Sequence, residues 1–397
     1  MPNKVGLEEA LSICCQAVSP LERETVELAA ARGRVLAGDA YAGNDMPPFN
    51  RSRLDGYAIT REDLTRLRQG ETLRLYIAGV LPAGGMTDQP LVDGKTVHIM
   101  TGACLPGCAA AVVGQERCVC TGDYVDITAP SILPHAGLEV RGQRWAKGDL
   151  LLKQGEKIGP GQIAKLAADG VGQVEVHRLP RVALVNTGDE LLEPGEPAQP
   201  GKVYSTSLAL RAVVQDSGCE VVSLPAAVTD RVDTLTQTIA SFLGSCDLLL
   251  IQGGSGGGRW DLGRQALQRL GAKILFSGLE LLPGSMTVAR HGKVLLVNLP
   301  GNPGGASLLF DTLIRPCINK MKGSADFYPT IWELALDNEL VNVQYQVRSL
   351  QRGQLIFKKN QLRVSTEVSP EAAIRPVTVD LLPGQGKAGD IVKVMLY

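Results

Sequence analysis

Hydrophobic and polar positions alternate with a different rhythm in successive stretches of the chain. Leu7-Glu8-Glu9-Ala10-Leu11-Ser12-Ile13-Cys14-Cys15 spaces its apolar side chains as an amphipathic helix does. Residues 1 to about 40 read as helical, broken at Ser19-Pro20-Leu21, with a second short ordered piece over Glu22 to Ala31. Asn44 to Ala58 contains Pro47, Pro48 and Asp55-Gly56 and reads as a loop. From about 72 to 140 short apolar runs stand between Gly, Pro and Asp turns. They predict strands over Leu73–Ile77, Thr96–Met100, Ala110–Val113, Tyr124–Thr128 and Leu138–Val140. Residues 141 to 178 predict a strand at Gly148–Leu152, a helix at Gln162–Ala168 and a strand at Gly172–Val176.

From Arg181 to about Gly323 strand and helix patterns take turns. Strands are predicted over Val182–Asn186, Glu220–Leu224, Leu248–Ile251, Lys273–Phe276 and Val294–Asn298. Helices are predicted near Ser207–Ser217, Arg231–Leu243, Asp261–Leu270 and Ala306–Lys322. This is the pattern of an open α/β sheet with helices on both faces. Beyond about 328 the chain returns to short strands, Gln354–Lys358, Leu362–Glu367 and Ile391–Leu396 among them, and predicts a small β-barrel or sandwich.

One stretch organises the α/β region. Asp247–Ile251 is a short apolar run, Gly253–Gly258 lets the backbone turn tightly, and Trp260 onward is helical with Leu262, Leu267 and Leu270. A strand opening through glycine into a helix is an anion site, because free N–H groups and the helix dipole point outward there. No Gly-Lys-Ser/Thr follows, so this is not a P-loop, and it lies outside the first strand–helix unit where a dinucleotide fingerprint belongs. Alone, such a run is more simply a flexible turn. Thr187-Gly188-Asp189-Glu190, Asp230, Asp261 and Pro300-Gly301-Asn302-Pro303-Gly304-Gly305-Ala306-Ser307 also follow predicted strand ends, where α/β sheets bind ligands. One acid there only caps its helix; several on one sheet edge point to a site. Carboxylates repel a phosphate unless a divalent cation lies between, and hard oxygen ligands of this kind suit Mg²⁺.

Composition narrows the classes. A chain of 397 residues holds two to four domains. Aromatic residues are 4%, which argues against stacking platforms for nucleic acid. Forty Lys and Arg nearly cancel forty-one Asp and Glu, so no global field draws nucleic acid or anionic lipid. No apolar run approaches the ~18 residues of a membrane span, and nothing resembles a signal peptide, so cytoplasm is expected. Nine cysteines fit a reducing compartment. Cys104, Cys108, Cys118 and Cys120 cluster with C-x-x-x-C and C-x-C spacing; four thiolates suit zinc, but the spacing is not that of a common zinc knuckle and free thiols are expected.

The order of motifs resembles the molybdopterin molybdenumtransferase family, which includes bacterial MoeA and the C-terminal domain of gephyrin. Pro48-Phe49-Asn50-Arg51-Ser52-Arg53-Leu54-Asp55-Gly56-Tyr57-Ala58 is similar to P-x-F-D-N-S-A-M-D-G-Y-A, and Ile99-Met100-Thr101-Gly102-Ala103 to I-M-T-G-A. Arg141-Gly142 is similar to the start of R-G-E-D, and Thr187-Gly188-Asp189-Glu190-Leu191 to T-G-D-E-L. Gly253-Gly254 with Asp261 is similar to G-G-x-S-x-G-x-x-D-Y, Pro283-Gly284 to K-P-G-K-P, and Pro300-Gly301-Asn302-Pro303 to P-G-N-P. Each motif is short, but together they cover nearly the whole chain in order.

The resemblance implies four domains: an elongated N-terminal domain (1–45 and 141–178), a β-rich domain (46–140), an α/β molybdopterin-binding domain (179–325) and a C-terminal β-barrel domain (326–397). It implies a homodimer, a molybdopterin adenylyltransferase-type partner, and insertion of molybdate, or tungstate, into adenylylated molybdopterin with release of AMP and use of Mg²⁺. Carried over by position, Asp55, Thr101, Glu190, Asp230 and Asp261 are the expected catalytic residues, with Glu190 and Asp261 on the metal. Gly253, Gly254, Gly301 and Asn302 would cradle the pterin nucleotide, beside Thr187, Gly188, Asp189, Ser255, Pro300 and Pro303. In the dimer Asp55 and Thr101 would complete the partner subunit's cleft.

The chain also departs from the pattern. The family lysines around K-P-G-K-P are replaced by Gly278, Leu282 and Ser285, the Asp of R-G-E-D by Arg144, and the Asn after the Tyr204 turn by Ser207. Lost lysines remove fixed charge that an oxyanion or pyrophosphate needs; Arg53, Arg144 and Arg259 are the candidate substitutes, though Arg differs from Lys in reach and geometry. The alternative reading is a divergent paralogue that binds molybdopterin as carrier or scaffold without metal insertion. A weaker one is an unrelated nucleotide hydrolase on the same sheet.

Overall fold

A computed structural model describes residues 4–223, 227–255, 261–340, 346–358, 360–367 and 376–397. By internal contacts the chain forms two units. The first contains residues 1–38, 154–159 and 174–397, and the second residues 39–153 and 160–173.

The core of the first unit is a six-stranded mixed sheet. Its strands are β1 (Arg181–Asn186), β2 (Glu220–Ser223), β3 (Leu248–Gln252), β4 (Lys273–Ser277), β5 (Thr287–His291) and β6 (Val294–Leu299), in the order β2-β1-β3-β6-β5-β4. β1 runs parallel to β2 and β3, and β3 parallel to β6, while β5 is antiparallel to both β6 and β4. Helices α1 (Ser207–Asp216), α2 (Val232–Phe242), α3 (Leu262–Arg269) and α4 (Pro303–Leu309) connect or follow the strands.

Burial on both faces explains why β3 is apolar without alternation. Leu248 and Leu250 point into one core with Leu210 and Val214 of α1 and Leu309 of α4. Leu249 and Ile251 point into another with Leu235 and Ile239 of α2 and Ala266 and Leu267 of α3. The helix Leu7–Gln16 adds Leu7, Ala10, Cys14 and Cys15 to the first of these cores.

A closed barrel of five strands follows, Thr330–Leu336, Ser349–Lys358, Gln361–Ser365, Pro376–Leu381 and Ile391–Leu396. The expected barrel-or-sandwich is therefore a barrel. It packs on the sheet's own core through Leu350 and Met395, and Arg352 pairs with the buried Asp311 at 2.6 Å.

Three expectations are corrected. The N-terminal 40 residues are not helical throughout, since Arg23–Glu27 is a strand paired with Gln173–His177; its partner lies far along the chain, out of reach of a local pattern. The loop around Asp55 is partly strand: Gly56–Ile59 enters the sheet of the second unit, and a Cβ at Gly56 would stand 2.0 Å from Val113 O. The helix expected over Ala306–Lys322 begins at Pro303, turns π-helical over Phe310–Ile314 and resumes at Arg315–Met321. Pro316 has no N–H to give the preceding turn, which favours the wider one.

The second unit holds a six-stranded sheet, among whose strands are Gly56–Ile59, Leu73–Leu81, Lys95–Ile99, Ala111–Gly114 and Tyr124–Ile127. Apart from Gly56–Ile59, they match the predicted strands to within a few residues. Helix Arg61–Arg68, which the sequence reading did not foresee, is closed at its start by Thr60 and Asp63, each side chain bonding the other's backbone.

Candidate functional site

β1, β3 and β6 are neighbours, and all three end at the same sheet edge. Their C-terminal turns surround a cleft of about 340 Å³. Thr187, Gly188 and Glu190 line it from the end of β1, Gly253, Gly254 and Ser255 from the end of β3, and Gly301 and Pro303 from the end of β6. Asp230, before α2, closes one side.

The turns come this close because glycine permits it. Gly253 has φ 103°, and a Cβ there would stand 2.3 Å from Thr187 O. At Gly301 a Cβ would meet Gly253 Cα at 3.6 Å, so the two glycine turns touch.

Asp230 is held from two sides. Thr187 Oγ1 donates to its Oδ1 at 2.8 Å and Asp189 N to its Oδ2 at 3.4 Å, while Asp230 N donates to Asp189 Oδ1 at 3.1 Å. The Glu190 carboxylate lies over Gly188, where an added Cβ would be 2.8 Å from Oε2. Among the described residues Glu190 and Asp230 are the charged side chains in the cleft lining, which includes no described Lys or Arg.

The other expected residues divide. Asp261 does not line the cleft; its Oδ1 accepts from Arg264 N at 3.2 Å and so starts α3. Burial pushes its carboxyl above the usual range against the pull of the Arg264 N–H. Residues 256–260, with the rest of the glycine run and Arg259, lie outside the described residues. Asn302 caps α4 through Gly305 N at 3.1 Å. With Pro300 it faces a second hollow of about 320 Å³ lined also by Leu282, Pro283, Leu308 and Leu350. Among the described residues that hollow has no charged side chain in its lining.

Asp55 and Thr101 belong to the second unit and bind each other. Asp55 Oδ1 accepts from Thr101 N at 2.7 Å and from Thr101 Oγ1 at 2.8 Å, and these bonds draw the carboxyl below its usual range. Arg144 is not a free cation, since its Nε donates to Glu139 Oε1 at 2.6 Å, and Glu139 also binds Arg51. Cys120 Sγ bonds Tyr57 Oη at 2.8 Å. Among the described residues no group of three or more His, Cys, Asp or Glu side chains is arranged to hold a metal ion.

The sequence reading missed one wall of the cleft. Asn186, Leu191, Val203, Tyr204, Thr206 and Gln252 also line it. Gln252 is buried and donates at 3.4 Å to both Thr206 Oγ1 and Gly301 O. Asn186 donates to Ser205 Oγ at 2.7 Å. A polar residue closing an otherwise apolar strand, as Asn186 and Gln252 do, was the available signal.

Comparison with known proteins gives this cleft a context. Residues 5–170 match the family described as MoeA N-terminal region (domain I and II). Residues 183–320, which contain the cleft, match the family described as probable molybdopterin binding domain. A molybdopterin molybdenumtransferase of Nostoc sp. is 34% identical over 313 residues, 77% of this chain and 71% of that protein. One from Staphylococcus aureus (strain MRSA252) is 28% identical over 403 residues, 99% of this chain and 96% of that protein. The crystal structure of the molybdopterin biosynthesis MoeA protein from Pyrococcus horikosii has a TM-score of 0.80 at 27% identity, covering 99% of each chain. An α/β layer with a cleft at its strand tips, followed by a closed barrel, is thus of the kind found in molybdenum cofactor biosynthesis. The chain belongs to the molybdopterin molybdenumtransferase family and is an enzyme of that type.

Proposed function

We propose that this chain inserts molybdate into adenylylated molybdopterin and releases AMP. The observation that carries the reading is the single cleft in which two touching glycine turns meet Glu190 and the doubly held Asp230. Backbone at the tips of β1, β3 and β6 would receive the phosphorylated pterin. Asp230 is oriented by Thr187 and Asp189, which suits it to accept a proton from water attacking the adenylyl phosphoanhydride.

A divalent cation fits the residues present when the substrate supplies part of its coordination. Mg²⁺ binds through one or two carboxylates plus phosphates, and the cleft presents Glu190 and Asp230. We assign it to these two in preference to Glu190 with Asp261, because Asp230 lines the cleft beside Glu190 and Asp261 does not. Bound there, it would neutralise phosphate charge.

This reading also takes in the four-domain organisation, a cytoplasmic homodimer in which Asp55 and Thr101 act in the partner subunit's cleft, and an adenylyltransferase-type partner that supplies the substrate. Purified protein given adenylylated molybdopterin, molybdate or tungstate, and Mg²⁺ should release AMP and form active cofactor. Absence of turnover where a relative works would reject the reading.

A second reading, a molybdopterin carrier or scaffold without metal insertion, is favoured by one observation: among the described residues no Lys or Arg lines either hollow beside the Pro300–Pro303 turn. It predicts that pterin binds and that Gly278→Lys, Leu282→Lys and Ser285→Lys together raise activity.

A further inference from the structure

We infer that Lys4 brings a positive charge to the strand-tip site, its aliphatic stem lying over position 278, which carries no side chain. The inference rests on the cleft being a site for a phosphorylated ligand and an oxyanion. Such ligands need a cation, and among the described residues the charged side chains in the cleft lining are acids. Nearby Lys202 is already engaged, since its Nζ donates to Asp189 O.

The N-terminal segment runs alongside the end of β4. Val5 bridges Leu279 in parallel register, Val5 N donates to Gly278 O at 3.3 Å, and Glu280 N donates to Val5 O at 2.9 Å. These bonds fix the backbone next to Lys4. Its stem then crosses Gly278: a Cβ there would stand 3.0 Å from Lys4 Cγ, 3.7 Å from Cδ and 3.6 Å from Cε. Gly278 has φ 90°, a conformation that glycine adopts without strain and that leaves this space open. Lys4 is exposed, and among the described residues it makes no ion pair.

Strand register puts this lysine on the cleft's edge of the sheet. Val185 pairs with Ile251, Ile251 with Asn298, Asn298 with Thr287, and Thr287 with Ser277. Gly278 therefore leaves β4 at the edge where Thr187, Gly253 and Gly301 leave their strands. Neighbouring strands lie about 4.8 Å apart, so the end of β4 is roughly 10 Å from the β6 tip. A lysine side chain and an extended nucleotide together span that distance.

The test measures binding of two probes to the full chain: molybdate by equilibrium dialysis and AMP by titration calorimetry. Lys4→Ala should weaken one of them by about fivefold, as expected for a cation with an exposed head. The difference should shrink as salt is raised from about 0.05 to about 0.5 M. A change confined to molybdate assigns Lys4 to the oxyanion, and one confined to AMP assigns it to the phosphate. Lys4→Arg should keep most of the affinity, and Lys4→Ala with Gly278→Lys should restore it by returning the charge from the other backbone. Melting curves verify that each variant is folded. Equal binding by wild type and Lys4→Ala overturns the inference and leaves the cleft reading standing. Failure of the wild type to bind either probe overturns the cleft reading itself.

Discussion

Two threonine–aspartate pairs in this chain share the same hydrogen bond and differ in nearly everything around it. Thr187 Oγ1 donates to Asp230 Oδ1, and Thr101 Oγ1 to Asp55 Oδ1, both at 2.8 Å. In the second unit one residue supplies both donors, Thr101 N and Oγ1, to one oxygen of Asp55. In the first unit two residues share the two oxygens of Asp230, whose own N–H returns to Asp189. The Asp55 arrangement joins the segment before strand Gly56–Ile59 to the turn after strand Lys95–Ile99. The Asp230 arrangement joins the end of β1 to the segment before α2 and leaves the carboxylate in a cleft wall. A contact list ranks the pairs as equals; the surroundings separate them.

The largest expected effect follows from that separation. Asp230→Ala should lower AMP release at least about a hundredfold, or ~3 kcal/mol of transition-state stabilisation, with its melting temperature nearly unchanged. Thr187→Val should lose less, because Asp189 N still holds one oxygen. Rates for Asp230→Ala equal to wild type would remove the cleft from the reaction and erase the contrast with Asp55.

Next comes the backbone that brings the strand tips together. Gly253→Ala meets Thr187 O at 2.3 Å and forces φ 103° on a residue with a side chain. Denaturant unfolding should show a loss of roughly 2–3 kcal/mol. Gly244→Ala is the control, since nothing lies within 4 Å of its added Cβ, and its stability should hold or rise slightly. If both substitutions cost the same, the close approach of the β1 and β3 tips does not constrain Gly253.

How much of this was legible in the sequence depends on where each element finds its partners. β1, β3 and β6 could be read because a strand buried on both faces is apolar throughout, as Leu248–Ile251 is. β5 was missed. Thr287-Val288-Ala289-Arg290-His291 carries polar residues and is specified by pairing with β4 and β6, which no local pattern reveals. Barrel strands Thr330–Leu336 and Pro376–Leu381 went unread for the same reason. The acids at strand tips were found from topology alone, and Glu190 and Asp230 do share one cleft. Asp261 was grouped with them by the same topology; the structure shows it capping α3 and leaves it out of the cleft lining. Lys4 could not have been connected to Gly278 without coordinates.

A third aspartate sharpens the comparison from the opposite end of β3. Arg178 grips Asp247 with two bonds of 2.7 and 2.8 Å, and Arg181 N adds one of 2.8 Å. Burial pushes the Asp247 carboxyl up, but these partners outweigh it and the net position is below the usual carboxylate range. A depressed pKa stabilises the fold above the unfolded value, and that contribution fades as pH falls through the folded value. Asp247→Asn should therefore cost about 1–2 kcal/mol at neutral pH, the pair being partly exposed. The gap from wild type should narrow in acid below about pH 4. AMP release per folded molecule should not change, the reverse of Asp230→Ala.

The smallest effect tests the Asp55 tie itself. Both Thr101 donors favour the charged carboxylate and draw its pKa down. Thr101→Val removes the hydroxyl and leaves the N–H, so the Asp55 pKa should rise part of the way to the ordinary range, while Thr101→Ser should leave it low. Carbon-detected NMR titration of the Asp55 carboxyl reads this directly. The sign matches Asp247: whatever stability the tie contributes is present above the unfolded carboxylate pKa and disappears as pH falls through the depressed value. An Asp55 pKa that does not move in Thr101→Val would mean that the N–H alone sets it. AMP release by the same variant then separates a local tie from a role in catalysis. A drop in rate with no loss of stability places Asp55 and Thr101 with Asp230 after all, whereas an unchanged rate leaves them as a tie between two segments of the second unit.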